Sequence, residues 1–206
     1  MSTTIYRRQE TEEMKCKLGK VREISQRLMP KLAYHNSRHV EDVYTAVSVL
    51  SNMERISVEE RFLLKTAALL HDIILVPGNK DNEERSVEFA EIYLPKAEFG
   101  YSVNQIDLIS NMILATKMPQ KPIDLFGRII CDADLDNLGR PDFFDLGEKV
   151  REELNIPGGE KWQRGQLGFL KGHSYWTESA KKLRDSGKAE NIEKLEYLLG
   201  LKTKTY

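Results

Sequence analysis

His71 and Asp72 stand side by side at the end of an apolar run, Phe62 to Leu70, with Ile73 and Ile74 directly behind them. An unpaired polar group in hydrocarbon costs about 2–7 kcal/mol, so the imidazole and the carboxylate must each find a partner. A divalent cation satisfies both at once by taking a neutral nitrogen and an anionic oxygen. The alternative for an isolated pair is a histidine hydrogen-bonded within a helical core and an aspartate that opens a loop. Two further clusters bear on the choice. Upstream is Tyr34-His35-Asn36-Ser37-Arg38-His39, and downstream is Cys131-Asp132-Ala133-Asp134-Leu135-Asp136.

The elements that must position these clusters read as helices throughout. Leu, Ile, Glu, Lys and Arg recur at helical spacing, and no strict alternation runs beyond about four residues. A first helix is predicted from about Glu12 to Met29, with Leu18, Val21, Ile24 and Leu28 on one stripe and Pro30 ending it. A second starts after Asn36 or Ser37, which places His39 in its first turn. A third runs from about Val58 to Ile74, and a fourth opens at Asp81 or Asn82 with Glu84 as capping-box partner of Asp81. Ser102 with Gln105 opens a fifth, and a sixth spans about Ile123 to Asn137. Three more patterns follow, near Phe143 to Leu154, Lys161 to Lys171 and Glu178 to Leu199, the last interrupted at Asp185-Ser186-Gly187.

Helical geometry ranks the three downstream acids. Residues three or four apart share a face. Asp134 shares one with Ile130 and Leu138, which should be core, whereas Asp132 falls with Arg128 and Asp136 on a stripe that reads as solvated. Asp134 is therefore the better ligand candidate.

Together, the His39 segment, the His71-Asp72 pair and the distant Asp134 resemble the HD superfamily of metal-dependent phosphohydrolases, over roughly residues 30 to 140. The segment Asp81-Asn82-Glu83-Glu84-Arg85-Ser86 is similar to the loop and helix start of a small bacterial branch of it. The resemblance implies an all-α bundle with His39, His71, Asp72 and Asp134 as metal ligands. Two imidazoles and two carboxylates suit Mn, Fe, Ni, Co, Mg or Zn and single out none of them. Four protein ligands in an octahedral set leave positions for water and a phosphate oxygen, which is the condition for metal-assisted hydrolysis. Tyr34-His35-Asn36 is similar to a run in the cyclic-nucleotide phosphodiesterases of the superfamily, which implies His35 as proton donor to the leaving oxygen.

Other candidates rest on position alone. Glu83 and Glu84 could orient water or a ligand, although acids are favoured in any first helical turn. Arg38, Lys80 and Lys117 lie near the predicted site loops and could hold a phosphate, although surface cations are commonly just solvated. His173 is read as structural. Trp162, Phe169, Tyr175 and Trp176 are read as core or dimer contacts, because no basic stripe accompanies them. No histidine lies between His71 and His173, so one firmly held metal is expected, with Asp72 able to bridge to a second, hydrated ion.

With 206 residues, a single domain is expected, the metal-site core spanning about 30–140 and C-terminal helices about 141–206. Its 31 basic and 32 acidic residues give a formal net charge of −1, which argues against a nucleic-acid polymer or membrane partner. Two cysteines, Cys16 and Cys131, make no disulfide framework, and the N-terminus does not read as a signal peptide, so a cytoplasmic protein is expected. The expected partner is a small phosphorylated substrate, a nucleotide foremost, and a homodimer is compatible with the sequence. Two rival readings are a cyclic-nucleotide or dinucleotide phosphodiesterase, weakened by the lack of a recognisable glutamine-bearing base clamp, and a catalytically weak ligand-binding module that keeps the metal for folding.

Overall fold

The computed structural model describes residues 9–202. Helices form at Glu12–Leu28 (α1), Ser37–Met53 (α2), Val58–Leu70 (α3), Asn82–Tyr93 (α4), Val103–Ala115 (α5) and Leu125–Asp134 (α6). A 3-10 turn at Asp136–Gly139 follows, then Phe143–Glu153 (α7), Glu160–Gly172 (α8) and Glu178–Leu198 (α9). Among the described residues the fold is all-helical, and no helix is long and apolar enough to cross a membrane.

Caps written into the sequence set most of the helix starts. Ser57 with Glu60 and Ser102 with Gln105 form reciprocal capping boxes at α3 and α5. Asn36, Asp124 and Thr177 accept from backbone N–H groups at the starts of α2, α6 and α9. The expected box at Asp81 does not form: Asp81 makes no side-chain cap, and Glu84 turns instead to Lys117. Helix α3 stops at Leu70 and not at Ile74, so His71 and Asp72 lie in the turn just past its end.

Helix α3 is the centre of the bundle and packs against α1, α2, α5 and α6. Its Leu64, Ala67, Ala68, Leu69 and Leu70 are all but fully buried. Burying each such leucine stabilises the fold by about 1.5–3 kcal/mol. An apolar run as tight as this delivers His71 to the interior with little freedom to shift. The cysteines are free, Cys16 exposed and Cys131 buried, with the Cys131 thiol donating to the Ala115 carbonyl.

Helix α9 runs unbroken through Asp185-Ser186-Gly187, contrary to the interruption expected there. The glycine is a point of close approach: a Cβ on Gly187 would overlap the Gly139 carbonyl, and one on Gly139 would overlap the Arg184 backbone. Asn191 then donates to the carbonyls of Leu138 and Arg140, at 3.0 Å each, and Arg184 binds Asp136 through two nitrogens. Helix α9 thus holds the turn that follows Asp134. Alanine at a helical glycine ordinarily gains about 1 kcal/mol, but here forced overlap costs about 1–3 kcal/mol. Gly187→Ala is therefore expected to lower the Tm by roughly 2–4 °C; a rise in a thermal melt would show that α9 does not press on the turn.

Candidate metal centre

Four of the sequence candidates meet at one point. His39 comes from the first turn of α2, His71 and Asp72 from the end of α3, and Asp134 from the last turn of α6. His71 Nε2 lies 3.0 Å from Asp72 Oδ2 and 3.5 Å from Asp134 Oδ1. His39 Nε2 lies 3.5 Å from Asp72 Oδ2, 3.4 Å from Asp134 Oδ1 and 3.4 Å from His71 Nε2. Local structure aims each donor. His71 Nδ1 is 2.9 Å from the Ala68 carbonyl, one of the orphan acceptors at the end of α3, so the ring donates there and turns Nε2 to the cluster. Ile130, one turn back from Asp134 on α6, is fully buried, whereas Leu138 lies in the 3-10 turn past the end of the helix; Asp134 Oδ2 accepts from Gln120 Nε2 at 3.3 Å.

These residues fit a divalent ion. With metal–ligand bonds of about 2.1 Å, neighbouring ligands are separated by about 3.0 Å in an octahedral shell and about 3.4 Å in a tetrahedral one, and the separations above match that interval to about 0.1 Å. His39, His71 and Asp134 offer ligand atoms that all lie within 4.8 Å of one another, as do His35, His39 and Asp72. Burial alone would lower the pKa values of His39 and His71, but bonds and charges from Asp134 and Asp72 outweigh it and raise both. Burial would likewise raise the two acids; the imidazoles reverse this, holding Asp72 well below the usual range and Asp134 at about 2. The buried carboxylate pair therefore draws positive charge into the cluster, a demand that a cation meets directly.

His35 stands beside this set. Its Nε2 is 4.0 Å from Asp72 Oδ2, and its Nδ1 is 2.5 Å from Glu153 Oε1. Glu153, at the end of α7, is the residue that sequence reading missed. Its carboxylate is 2% exposed and also accepts from the backbone N–H of Tyr34 and of His35, at 3.0 and 2.9 Å. Burial would raise its pKa, but the bonds from His35 reverse this and keep it ionised. No local signal distinguishes it, since Arg151-Glu152-Glu153 reads as an ordinary charged helical surface and the partner lies 118 residues away.

The other candidates are dispersed. Glu83, in the first turn of α4, is half-buried; burial raises its pKa, and the charge of Asp72 adds to that. Glu84 and Lys117 bind each other, so Lys117 is not a free cation and Glu84 is not a free base. Lys80 is exposed in the loop before α4, whereas Arg38 lines a crevice beside His39 and Asp134. His173 makes no approach to the centre; burial, with Lys188 nearby, lowers its pKa to about 4.

Of the stripe assigned to solvent, Arg128 is exposed as expected, but Asp132 and Asp136 are buried. Asp132 is 1% exposed and accepts from the Trp176 and Thr177 N–H groups at 2.8 Å and from the Thr177 hydroxyl at 2.7 Å. Asp136 is also buried and paired with Arg184. The C-terminal helices cover this face of α6, which the local pattern alone could not show. Asp132→Ala strands three donors, at about 1–3 kcal/mol each for those left unpaired. It is expected to lower stability in urea by about 2–4 kcal/mol while leaving metal content per folded chain unchanged; loss of metal from the folded variant would make Asp132 part of the centre.

A cavity of about 560 Å³ opens on Tyr34, His35 and Asp134. Its wall is largely apolar, with Phe143, Val150, Trp162 and Phe169 from α7 and α8, together with Gln166. Trp162 and Phe169 thus border the candidate site and do not belong to the core, whereas Tyr175 is buried in it as expected. The Gln166 carboxamide lies over Gly147, where a Cβ would collide with it.

The class so defined is an all-helical protein with a cluster of two buried histidines, buried Asp72 and part-buried Asp134, the last of which borders an apolar cavity. Residues 21–136 match the model of the HD domain, and the chain belongs to that family. No curated protein sequence matches it. Among solved structures it is similar to Bacillus subtilis YpgQ in complex with ADP, with a TM-score of 0.65 and 22% identity over 90% of this chain and 96% of that one. The selenomethionine form of YpgQ superposes with a TM-score of 0.64 at 17% identity, over the same shares of the two chains. LmjPDEB1 in complex with IBMX gives a TM-score of 0.52 at 16% identity, over 94% of this chain and 87% of that one. At these identities the likeness is one of fold.

Proposed function

We propose that this protein is a metal-dependent phosphohydrolase that cleaves a phosphate ester or anhydride of a small phosphorylated molecule, a nucleotide foremost. The observation that carries the reading is the convergence of His39, His71, Asp72 and Asp134, the last of which borders a 560 Å³ apolar cavity, with the His35–Glu153 pair beside them. The family typically comprises metal-dependent phosphohydrolases, and the ADP complex of YpgQ and the IBMX complex of LmjPDEB1 agree with a small-molecule ligand. We read the chain as one domain, its C-terminal helices walling the cavity.

His39, His71, Asp72 and Asp134 would hold the ion, which supplies Lewis-acid activation of the phosphoryl group and of water when bound. The chain's own residues do the rest. Glu153 fixes the His35 ring by accepting from Nδ1, so Nε2 faces the cavity and can deliver a proton to the leaving oxygen. The Tyr34 hydroxyl lines the same cavity without a hydrogen bond among the described residues, and burial keeps it protonated as a donor. Half-buried Glu83, its pKa raised by burial and by the charge of Asp72, suits a proton acceptor. The apolar wall takes the part of the substrate that is not phosphate.

A cyclic-nucleotide or dinucleotide phosphodiesterase is the second reading. The Gln166 carboxamide, set between Trp162 and Phe169 in the cavity wall, favours it, because such a wall suits a planar ring with polar edges. Purified protein, assayed for metal and then given nucleoside mono-, di- and triphosphates, cyclic nucleotides and simple esters with each candidate ion, separates the readings. About one ion per chain and ion-dependent hydrolysis of a phosphate bond are expected; metal and ligand binding without hydrolysis of any substrate would leave a regulatory module.

A further inference from the structure

The two aspartates of the candidate centre are held differently. Asp72 turns one oxygen, Oδ2, to all three nearby imidazoles, at 3.0 Å from His71, 3.5 Å from His39 and 4.0 Å from His35. Asp134 divides its carboxylate. Its Oδ1 faces the imidazoles of His39 and His71, at 3.4 and 3.5 Å, while its Oδ2 accepts from Gln120 Nε2 at 3.3 Å. The Gln120 amide is thus directed at the oxygen that does not face the other donor atoms. Gln120 is half-buried and lies 14 residues before Asp134, in the segment 116–124 between α5 and α6.

That segment is fixed at both ends. At its start the buried Thr116 hydroxyl donates to the Ile113 carbonyl at 2.8 Å, and Lys117 binds Glu84 of α4. At its end Asp124 accepts from the Gly127 N–H at 2.8 Å and caps α6. Buried Gly127 lets α6 close on the segment: a Cβ there would lie 3.1 Å from Pro122 Cβ and 3.3 Å from Ala115 Cβ. The Cys131 thiol, one turn further along α6, donates to the Ala115 carbonyl at 3.0 Å. The half-exposed Glu84–Lys117 pair contributes only about 0–1 kcal/mol, so the close packing at Gly127 does most of the holding. A donor on so fixed a segment can hold one carboxylate oxygen in place.

A carboxylate whose second oxygen is engaged in this way binds an ion through the first alone. Such a ligand suits a small ion in a near-octahedral shell. It suits calcium less, because calcium takes about six to eight oxygens at roughly 2.3–2.6 Å and readily uses both oxygens of one carboxylate.

We propose that Gln120 is a positioning residue that keeps Asp134 a one-oxygen ligand, so that the centre takes a small octahedral ion such as manganese in preference to calcium. This rests on the reading of His39, His71, Asp72 and Asp134 as a metal centre, and it adds a selectivity that the identity of those four ligands does not specify.

Calorimetric titration with manganese and with calcium, on protein stripped of metal by a chelator, tests it in wild type and in Gln120→Met, which keeps an unbranched side chain and removes the donor. The variant is expected to bind manganese about tenfold more weakly, as on loss of a ligand's hydrogen-bond partner, with calcium affinity changed little. The preference for manganese should therefore fall about tenfold, and Gln120→Ala should repeat the pattern. A merely structural defect would weaken both ions alike. Equal weakening of both, or manganese affinity within about twofold of wild type in both variants, overturns the assignment. Failure of the wild-type protein to bind manganese would defeat the metal centre itself, and the assignment with it.

Discussion

Asp134→Ala is expected to lose the metal and to reduce turnover to background, in a chain that remains folded. Asp134 supplies an anionic oxygen 3.4–3.5 Å from both imidazole nitrogens. It is also the part of the cluster contributed by α6, so no neighbour can replace it. Without it the remaining donors carry one negative charge fewer, and both binding and the local preference for a cation fall. Metal analysis of the purified variant, with circular dichroism as the check on folding, reads the result. The decisive contrast is with Asp132→Ala: Asp134→Ala should lose the ion and keep most stability, and Asp132→Ala should do the reverse. A folded Asp134→Ala variant that holds a full complement of metal and turns over would remove Asp134 from the centre.

His35→Ala is expected to keep the metal while slowing turnover by about 10²- to 10⁴-fold on substrates with poor leaving groups. The ring is 27% exposed at the cavity and braced by a carboxylate that is itself nearly buried, the arrangement of an oriented proton donor. An aryl phosphate such as p-nitrophenyl phosphate, or its diester, departs without protonation, so the deficit should shrink markedly on whichever of these is accepted. Glu153→Gln should follow the same leaving-group pattern with a smaller loss, because it releases the ring without removing it. Equal losses on both substrate kinds would make His35 a positioning group. Loss of the ion would make it a ligand, a point worth measuring because His35, His39 and Asp72 also offer donors within 4.8 Å of one another.

What the sequence determined by itself was local. Helix periods, the caps at Asn36, Ser57 and Ser102, and the apolar run that ends at His71 follow from neighbours within a few residues. The expectation for Asp134 also rests on a local face, that of Ile130, which is fully buried, although Leu138 falls in the 3-10 turn past the end of α6 and Asp132 is buried as well. Only the tertiary structure decided the rest. Asp132 and Asp136 look solvated until Thr177 and Arg184 arrive from the start and body of the last helix, 45 and 48 residues later, to bind them. Gly187 looks like a helix break until Gly139 is seen against it. Glu153 and the wall formed by Trp162, Gln166 and Phe169 come from α7 and α8, beyond the segment that matches the family. Periodicity records which face of a helix is buried, but the identity of what covers that face is set by contacts between residues far apart in the chain, and these leave no mark in local pattern.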